Sequence, residues 1–376
     1  MIKIILDPQT FNEQKFGGIS RYYTELYLAY LRDMNVDMDC PIVFSDNLHL
    51  KEAGLFHNAF AAFITSGFLP KFINKKILKY YRKTNQRETL NLLKKQDFDL
   101  FVPTYFNPYF LEAIGNKPFV LTVYDMIHEK LPQYFGRDRE TADYKKLLME
   151  KATRIIAISE STKRDILEIY PHIDSSKIDV VYLSHSIDTN TNADIELPKK
   201  YVLFVGNRSG YKNFNFFMEA VSPLLKKDKD LFVVCAGGNK FSKNDKKLIE
   251  ELGVENQLIQ RNFEDNELVS YYKNAQCFVF PSEYEGFGIP VLESMACGCP
   301  IVLAHHSSFP EVAGDAGVYF ELNDTNDLKD KIENLLKDAN LRKVYAEKGI
   351  AQAAKFNWNT TAENCLSVYK KAISNG

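Results

Sequence analysis

The stretch Pro281-Ser282-Glu283-Tyr284-Glu285-Gly286-Phe287-Gly288-Ile289-Pro290-Val291-Leu292-Glu293-Ser294-Met295-Ala296-Cys297-Gly298 decides how this chain is read. The apolar run CFVFP leads into it as a strand that ends at Pro281, EGFG turns the chain, and a helically spaced segment stops at Gly298. A strand, a glycine turn and a helix start gather free backbone N–H groups and the positive end of a helix dipole at one point, a natural seat for phosphate. Glu285 in the turn and Glu293 one to two helical turns on bracket that seat from different depths. Carboxylates only accept hydrogen bonds and take two diol protons at once, which suits sugar and ribose hydroxyls. The pattern describes a nucleotide-sugar site.

Working outward, PSEYEGFGIPVLESMACGCPIV followed by SSFPEVAGDAGVYF closely resembles the donor motif of the retaining family 4 glycosyltransferases of GT-B fold. The resemblance extends over nearly the whole chain: a Gly17-Gly18 loop near the start, FVGNRSGYKNF (204–214) opening the second half, and FNWNTTAENCLSVYKKA (356–372) at the end. It implies two Rossmann-like, doubly wound domains facing across a cleft. The boundaries expected are 1–190 for an acceptor-binding domain, 191–356 for a donor-binding domain, and 357–376 for a terminal helix crossing back to the first domain.

The residues support that division independently. At 376 residues the chain suits two cores rather than one. IKIIL (2–6), CPIVF (40–44), DLFV (99–102), FVLTVYD (119–125), RIIAIS (154–159) and DVVYL (179–183) read as strands of the first half. Most are apolar throughout, as parallel strands buried on both faces are. Ser20 is a plausible cap for a helix over 20–34, and ISESTKRDILEIYP is a strand end, a Ser cap and a helix stopped by Pro171. Around 186–200 the composition turns polar and unpatterned, a linker, after which the alternation restarts at YVLFVGN (201–207).

Charge is nearly balanced, 47 Lys+Arg against 49 Asp+Glu, which argues against a general nucleic-acid binder. The first residues lack a signal-peptide pattern, no run approaches the roughly 20 apolar residues of a membrane span, and the six scattered cysteines read as buried thiols. The expected location is the cytoplasm.

Four further constellations carry chemistry. Gly17 and Gly18 open a helix; they allow close backbone approach to an anion, or simply form a flexible loop with a cap. Their spacing is not that of a nicotinamide-binding fingerprint. Arg208 and Lys212, in a glycine turn at a strand end, match the family's diphosphate-binding cations, able to stabilise a departing nucleoside diphosphate without a metal. At the strand end Thr122–Glu129 many family members carry His-Asp; here Tyr124 stands in the His position, Asp125 keeps the Asp, and His128 follows. The resemblance places Asp125 near the reacting sugar, with Tyr124 and His128 as possible sugar or acceptor contacts; the plain alternatives are a capping Asp and a loop His. Glu311 lies in a family stretch beside the nucleotide, although a helix-entry carboxylate accounts for it more simply.

The segment 71–95 carries nine Lys/Arg against one acid, interleaved with aromatic and aliphatic residues. It is either a solvated basic helix face or a contact for an anionic membrane surface. No metal and no other cofactor is expected, since nothing resembles a D-x-D metal loop.

The resulting expectation is transfer of a hexose from a GDP- or UDP-sugar to a glycan or lipid-linked hydroxyl in bacterial surface polysaccharide synthesis. Asp125, Glu285, Arg208 and Lys212 would be catalytic. Gly17, Gly18, Arg208, Lys212, Glu285, Gly286, Phe287, Gly288, Ile289 and Glu293 would hold the donor. A nucleotide-sugar epimerase and a non-catalytic scaffold are the competing readings. The intact Glu285, Glu293, Arg208 and Lys212 speak against the scaffold.

Overall fold

Among the described residues twelve short strands, every pairing between them parallel, carry the architecture of this computed structural model. It describes residues 1–32, 35–55, 71–136, 139–191 and 193–375. In the first half, β1 (Ile2–Leu6), β2 (Val36–Asp39) and β3 (Leu100–Val102) form one sheet in the order β2-β1-β3. β4 (Val120–Val123), β5 (Arg154–Ala157) and β6 (Ile178–Val180) form another in the order β4-β5-β6. A parallel bridge between Phe101 and Phe119 joins the two into one surface.

The second half is a six-stranded sheet in the order β12-β11-β10-β7-β8-β9. Its strands are β7 (Tyr201–Val205), β8 (Phe232–Ala236), β9 (Leu258–Arg261), β10 (Cys277–Phe280), β11 (Ile301–Ala304) and β12 (Gly317–Phe320). β3, β4, β10 and β11 are buried at every position, as expected where helices cover both faces. The chain runs β7 to β9 in one direction, then returns to lay β10 to β12 on the other side of β7. In such a sheet the ligand crevice opens beyond the carboxyl ends of the two strands that flank the reversal. Here those strands are β7 and β10, and the loops leaving them are 206–213 and 281–288.

Between the halves, residues 181–191 and 193–200 form no helix or strand. The last helix, Trp358–Asn375, packs on the first domain. Its residues Ala362, Cys365, Val368, Tyr369 and Ala372 repeat at helical spacing and are all buried. The Tyr30 hydroxyl donates to the Ala362 carbonyl at 2.8 Å, and the Tyr22 hydroxyl lies 3.2 Å from the Cys365 sulfur. The Trp358 indole donates to Ser186, which in turn donates to Glu25, so the linker start is tied at this crossing.

Three sequence expectations need correction. Residues 40–44 are not a strand: the N–H groups of Val43 and Phe44 both donate to the Asn85 side chain, which supplies what a sheet neighbour would. The helix expected from Ser20 begins at Gly18 with Gly17 as its cap, and the Ser20 hydroxyl donates back to the Gly17 carbonyl. The strand expected over 179–183 runs from Ile178 to Val180, shorter at its far end.

Candidate active site

The donor turn hangs between β10 and the helix Ile289–Ala296. Gly288 caps that helix with φ +96°, a left-handed conformation that glycine enters without a steric penalty. Two serines hold the turn from below. The Ser307 hydroxyl donates to the Glu285 carbonyl at 2.5 Å and accepts from the Glu285 N–H at 3.2 Å. Ser308 reaches the carbonyls of Glu285 and Phe287 at 2.9 and 3.1 Å. The first N–H groups of the helix have no acceptor within it, so this end is electropositive.

Lys212 comes from the loop after β7, in the turn Gly210–Lys212. Its ammonium meets Glu285 Oε1 at 2.5 Å and sits 4.9 Å from the centre of the Tyr211 ring. Burial works against its charge, but Glu285 outweighs that and holds the ammonium above its ordinary titration range. Lys212 is therefore a cation at neutral pH. Glu293 lies further along the helix, half-buried, with the Tyr272 hydroxyl 3.4 Å from Oε2.

The first domain supplies the opposite wall. Gly18 opens the helix Gly18–Leu31, and a Cβ placed on it would lie 3.4 Å from Ile289 Cδ1. Two helix N-termini thus meet across the cleft, on either side of the diphosphate seat inferred above. The Gly17 N–H donates to the His49 ring. Gly286 rests directly on the carbonyl of Tyr124: an added Cβ would fall 1.7 Å from that oxygen and 3.0 Å from Asp125 Cβ. Asp125 and Glu285 are neighbours through this contact. Asp125 Oδ1 accepts from the Ile127 N–H at 3.0 Å while its side chain stays one-third exposed, so it caps the next turn and still faces the cleft region.

Two expected residues sit otherwise. Tyr124 turns its phenol inward, donating to the Thr104 carbonyl at 2.9 Å beside the Tyr23 hydroxyl, and its ring is part of the core. Arg208 is buried and donates to the carbonyls of Gly237, Gly238 and Asn239 at 3.1, 3.0 and 2.6 Å, with Asp245 3.5 Å from Nε. The expected Arg–Lys pair is thereby split: Lys212 stands at Glu285, and Arg208 braces the turn after β8. The His128 ring lies tilted against Phe135, with centroids 4.2 Å apart, and Phe135 continues to Tyr211 of the second domain.

Tyr284 and Lys145 of this region went unmarked in the sequence, and Glu311, read there as a nucleotide neighbour or a helix-entry carboxylate, serves a helix of the other domain. Tyr284 is buried; its hydroxyl donates to Asp165 at 2.7 Å and accepts the Met126 N–H at 3.1 Å across the domain boundary. Glu311 accepts the N–H groups of Glu160 and Ser161 at 2.8 and 2.9 Å, capping a first-domain helix from the second domain. Lys145 is wholly buried behind Asp125. Tyr284 had one signal, its place beside Glu285; a buried lysine has none. Among the described residues no group of His, Cys, Asp and Glu is arranged to hold a metal, and no helix is long and apolar enough to cross a membrane.

The family model described as Glycosyltransferase Family 4 matches residues 16–188, and that described as Glycosyl transferases group 1 matches 189–352. This chain belongs to the family 4 glycosyltransferases. The enzyme is 27% identical over 300 residues to the O-antigen chain mannosyltransferase B of Escherichia coli, covering 76% of this chain and 77% of that one. It is 28% identical to a D-inositol 3-phosphate glycosyltransferase of Corynebacterium aurimucosum over 60% of this chain and 59% of that one. Its fold is that of Anabaena HepE, solved in complex with UDP and glucose, at a TM-score of 0.74 and 14% identity over 98% of this chain and 99% of that one. The sucrose-phosphate synthase of Thermosynechococcus elongatus superposes with a TM-score of 0.71 at 19% identity over the whole of both chains. The GT-B architecture of two Rossmann-like domains is common to these glycosyltransferases.

Proposed function

We propose that this glycosyltransferase moves mannose from GDP-mannose, with retained anomeric configuration, to a hydroxyl of a glycan or lipid-linked oligosaccharide in bacterial surface polysaccharide synthesis. The observation that carries the reading of a nucleoside-diphosphate sugar as donor is the Lys212–Glu285 pair set beside two helix N-termini. Lys212 and the helix ends take the diphosphate as negative charge builds on the leaving group. Glu293 binds the ribose diol. Glu285, released from Lys212 by the diphosphate, accepts hydroxyls of the sugar. Asp125, a residue away across the cleft, orients or polarises the acceptor hydroxyl. Retention proceeds by front-face attack assisted by the departing phosphate, and Lys212 supplies the positive charge that a metal provides elsewhere. Arg208 acts through the turn it braces. Mannose is favoured by the name of the E. coli relative, and UDP-sugars are the alternative donors.

The acceptor side includes a membrane. Lys76, Lys79, Tyr80, Lys83, Arg87 and Lys94 are exposed and recur at helical spacing along one face of the helix Lys71–Lys95. The opposite face packs Ile77, Leu78 and Tyr81 on Phe44. A basic stripe with an exposed aromatic suits an anionic lipid surface.

One set of measurements tests this reading. Purified protein is offered GDP-mannose, UDP-glucose, UDP-N-acetylglucosamine and dTDP-glucose, with binding followed by ligand NMR and turnover by released nucleotide. GDP-mannose should bind and turn over, unaffected by EDTA, and the protein should sediment with phosphatidylglycerol vesicles but not with neutral ones. No binding of any nucleotide sugar by folded protein would overturn the transferase reading.

A further inference from the structure

We infer that Lys145 is the positioning residue for Asp125, fixing the peptide on which that carboxylate is carried. The inference rests on the reading of Asp125 as the group beside the reacting sugar. Lys145 belongs to the helix Glu140–Lys151, and its side chain is 0% exposed. Its ammonium donates to the Asp125 carbonyl at 2.9 Å and to Glu129 Oε2 at 2.9 Å, lies 3.7 Å from Asp125 Oδ1, and stands 5.3 Å from the centre of the Phe106 ring.

A buried ammonium is costly to desolvate, and a pair of apolar residues of similar volume commonly serves stability as well or better. Glu129, itself only 6% exposed, balances the charge. Its second oxygen is buried without a hydrogen-bond partner, so the pair is not an optimised structural bridge. What the ammonium does accomplish is directional. The three consecutive residues after β4 are each fixed: the Tyr124 carbonyl against Gly286, the Asp125 carbonyl by Lys145, and the Met126 N–H by Tyr284. Two of those restraints come from the donor domain, and Lys145 is the one supplied from behind. Lys145 and Tyr284 hold the two ends of one peptide plane, so without Lys145 that plane rests on the Tyr284 contact alone and the carboxylate it carries is less firmly aligned.

The test compares Lys145→Met, the double variant Lys145→Met/Glu129→Leu, and Asp125→Asn. GDP affinity is measured by calorimetry, Tm by unfolding, and GDP-mannose turnover is expressed per GDP-binding site, so that loss of folded protein does not count. The double variant should keep a wild-type Tm, with GDP affinity and the KM for GDP-mannose within threefold. Its kcat should fall about a hundredfold, the scale set by a misplacement near 1 Å. Recovery of kcat together with Tm in the double variant would overturn the proposal, because Lys145 would then serve only the fold. Loss of GDP binding in both Lys145 variants would overturn it on the same ground. If Asp125→Asn turns over at the wild-type rate, the reading of Asp125 fails and the proposal falls with it, whatever the Lys145 variants do.

Discussion

At the scale of single residues, Lys212 and Glu285 hold each other, and a diphosphate would compete with Glu285 for the same ammonium. The two residues therefore have opposite signatures. Lys212→Met removes the cation and should weaken GDP binding about tenfold or more, as expected for a lost charge-assisted contact. Glu285→Gln removes the competitor: GDP should bind at least as tightly as to the wild type, while sugar transfer falls about a hundredfold. Calorimetry with GDP beside a turnover assay reads both. Equal weakening of GDP by both substitutions would mean that the pair acts only as a structural bridge. The donor motif made Glu285 legible because its chemistry lies in a contiguous string. Tyr124 and Arg208 were not legible in the same way. A position at a strand end does not say to which side a ring turns, and a guanidinium near a glycine turn gives no sign that three backbone carbonyls will claim it.

At the scale of elements, runs that are apolar at every position announced the buried parallel strands, and the restart of alternation at Tyr201 announced the second sheet. The failure at 40–44 has a physical cause of longer range. Asn85, 41 residues away, satisfies the backbone of Phe44 with its side chain, and no local pattern records that. The same limit hid Lys145, which sits in a helix of mixed polarity where a lysine normally faces solvent. The donor turn offers a sharper test of element geometry. Gly286 packs against the backbone of the other domain so closely that an added methyl would overlap the Tyr124 carbonyl at 1.7 Å. Gly286→Ala should leave the Tm within a few degrees, because each domain can keep its own core, yet lower kcat/KM about a hundredfold by pushing Glu285 away from Asp125. Steady-state kinetics with a thermal melt separates these effects; unchanged kinetics would mean that the domains do not work at this distance.

At the scale of the whole molecule, the two domains are latched beside the site rather than merely tethered by the linker. Glu311 accepts two N–H groups at the start of the helix Glu160–Ile169 and also the Tyr182 hydroxyl at 3.3 Å, while Thr162 donates to the Gly286 carbonyl. The anionic carboxylate at a helix N-terminus is favoured by the dipole and by otherwise unpaired donors, an interaction of about 1–2 kcal/mol. Glu311→Ala withdraws that energy from the closed arrangement alone, since the carboxylate and the capped helix belong to different domains. A shift of about 1.4 kcal/mol changes the open-to-closed ratio tenfold, and apparent donor affinity falls by whatever fraction of closed molecules is lost. The variant should therefore show a larger radius of gyration by solution scattering without donor, up to tenfold weaker GDP binding, and a near-normal radius once GDP saturates it. An unchanged radius and unchanged affinity would place the energetics of closure elsewhere, in the Tyr284–Asp165 contact or the terminal helix. Closure and alignment would still be coupled, because Tyr284 holds the same three-residue stretch that carries Asp125.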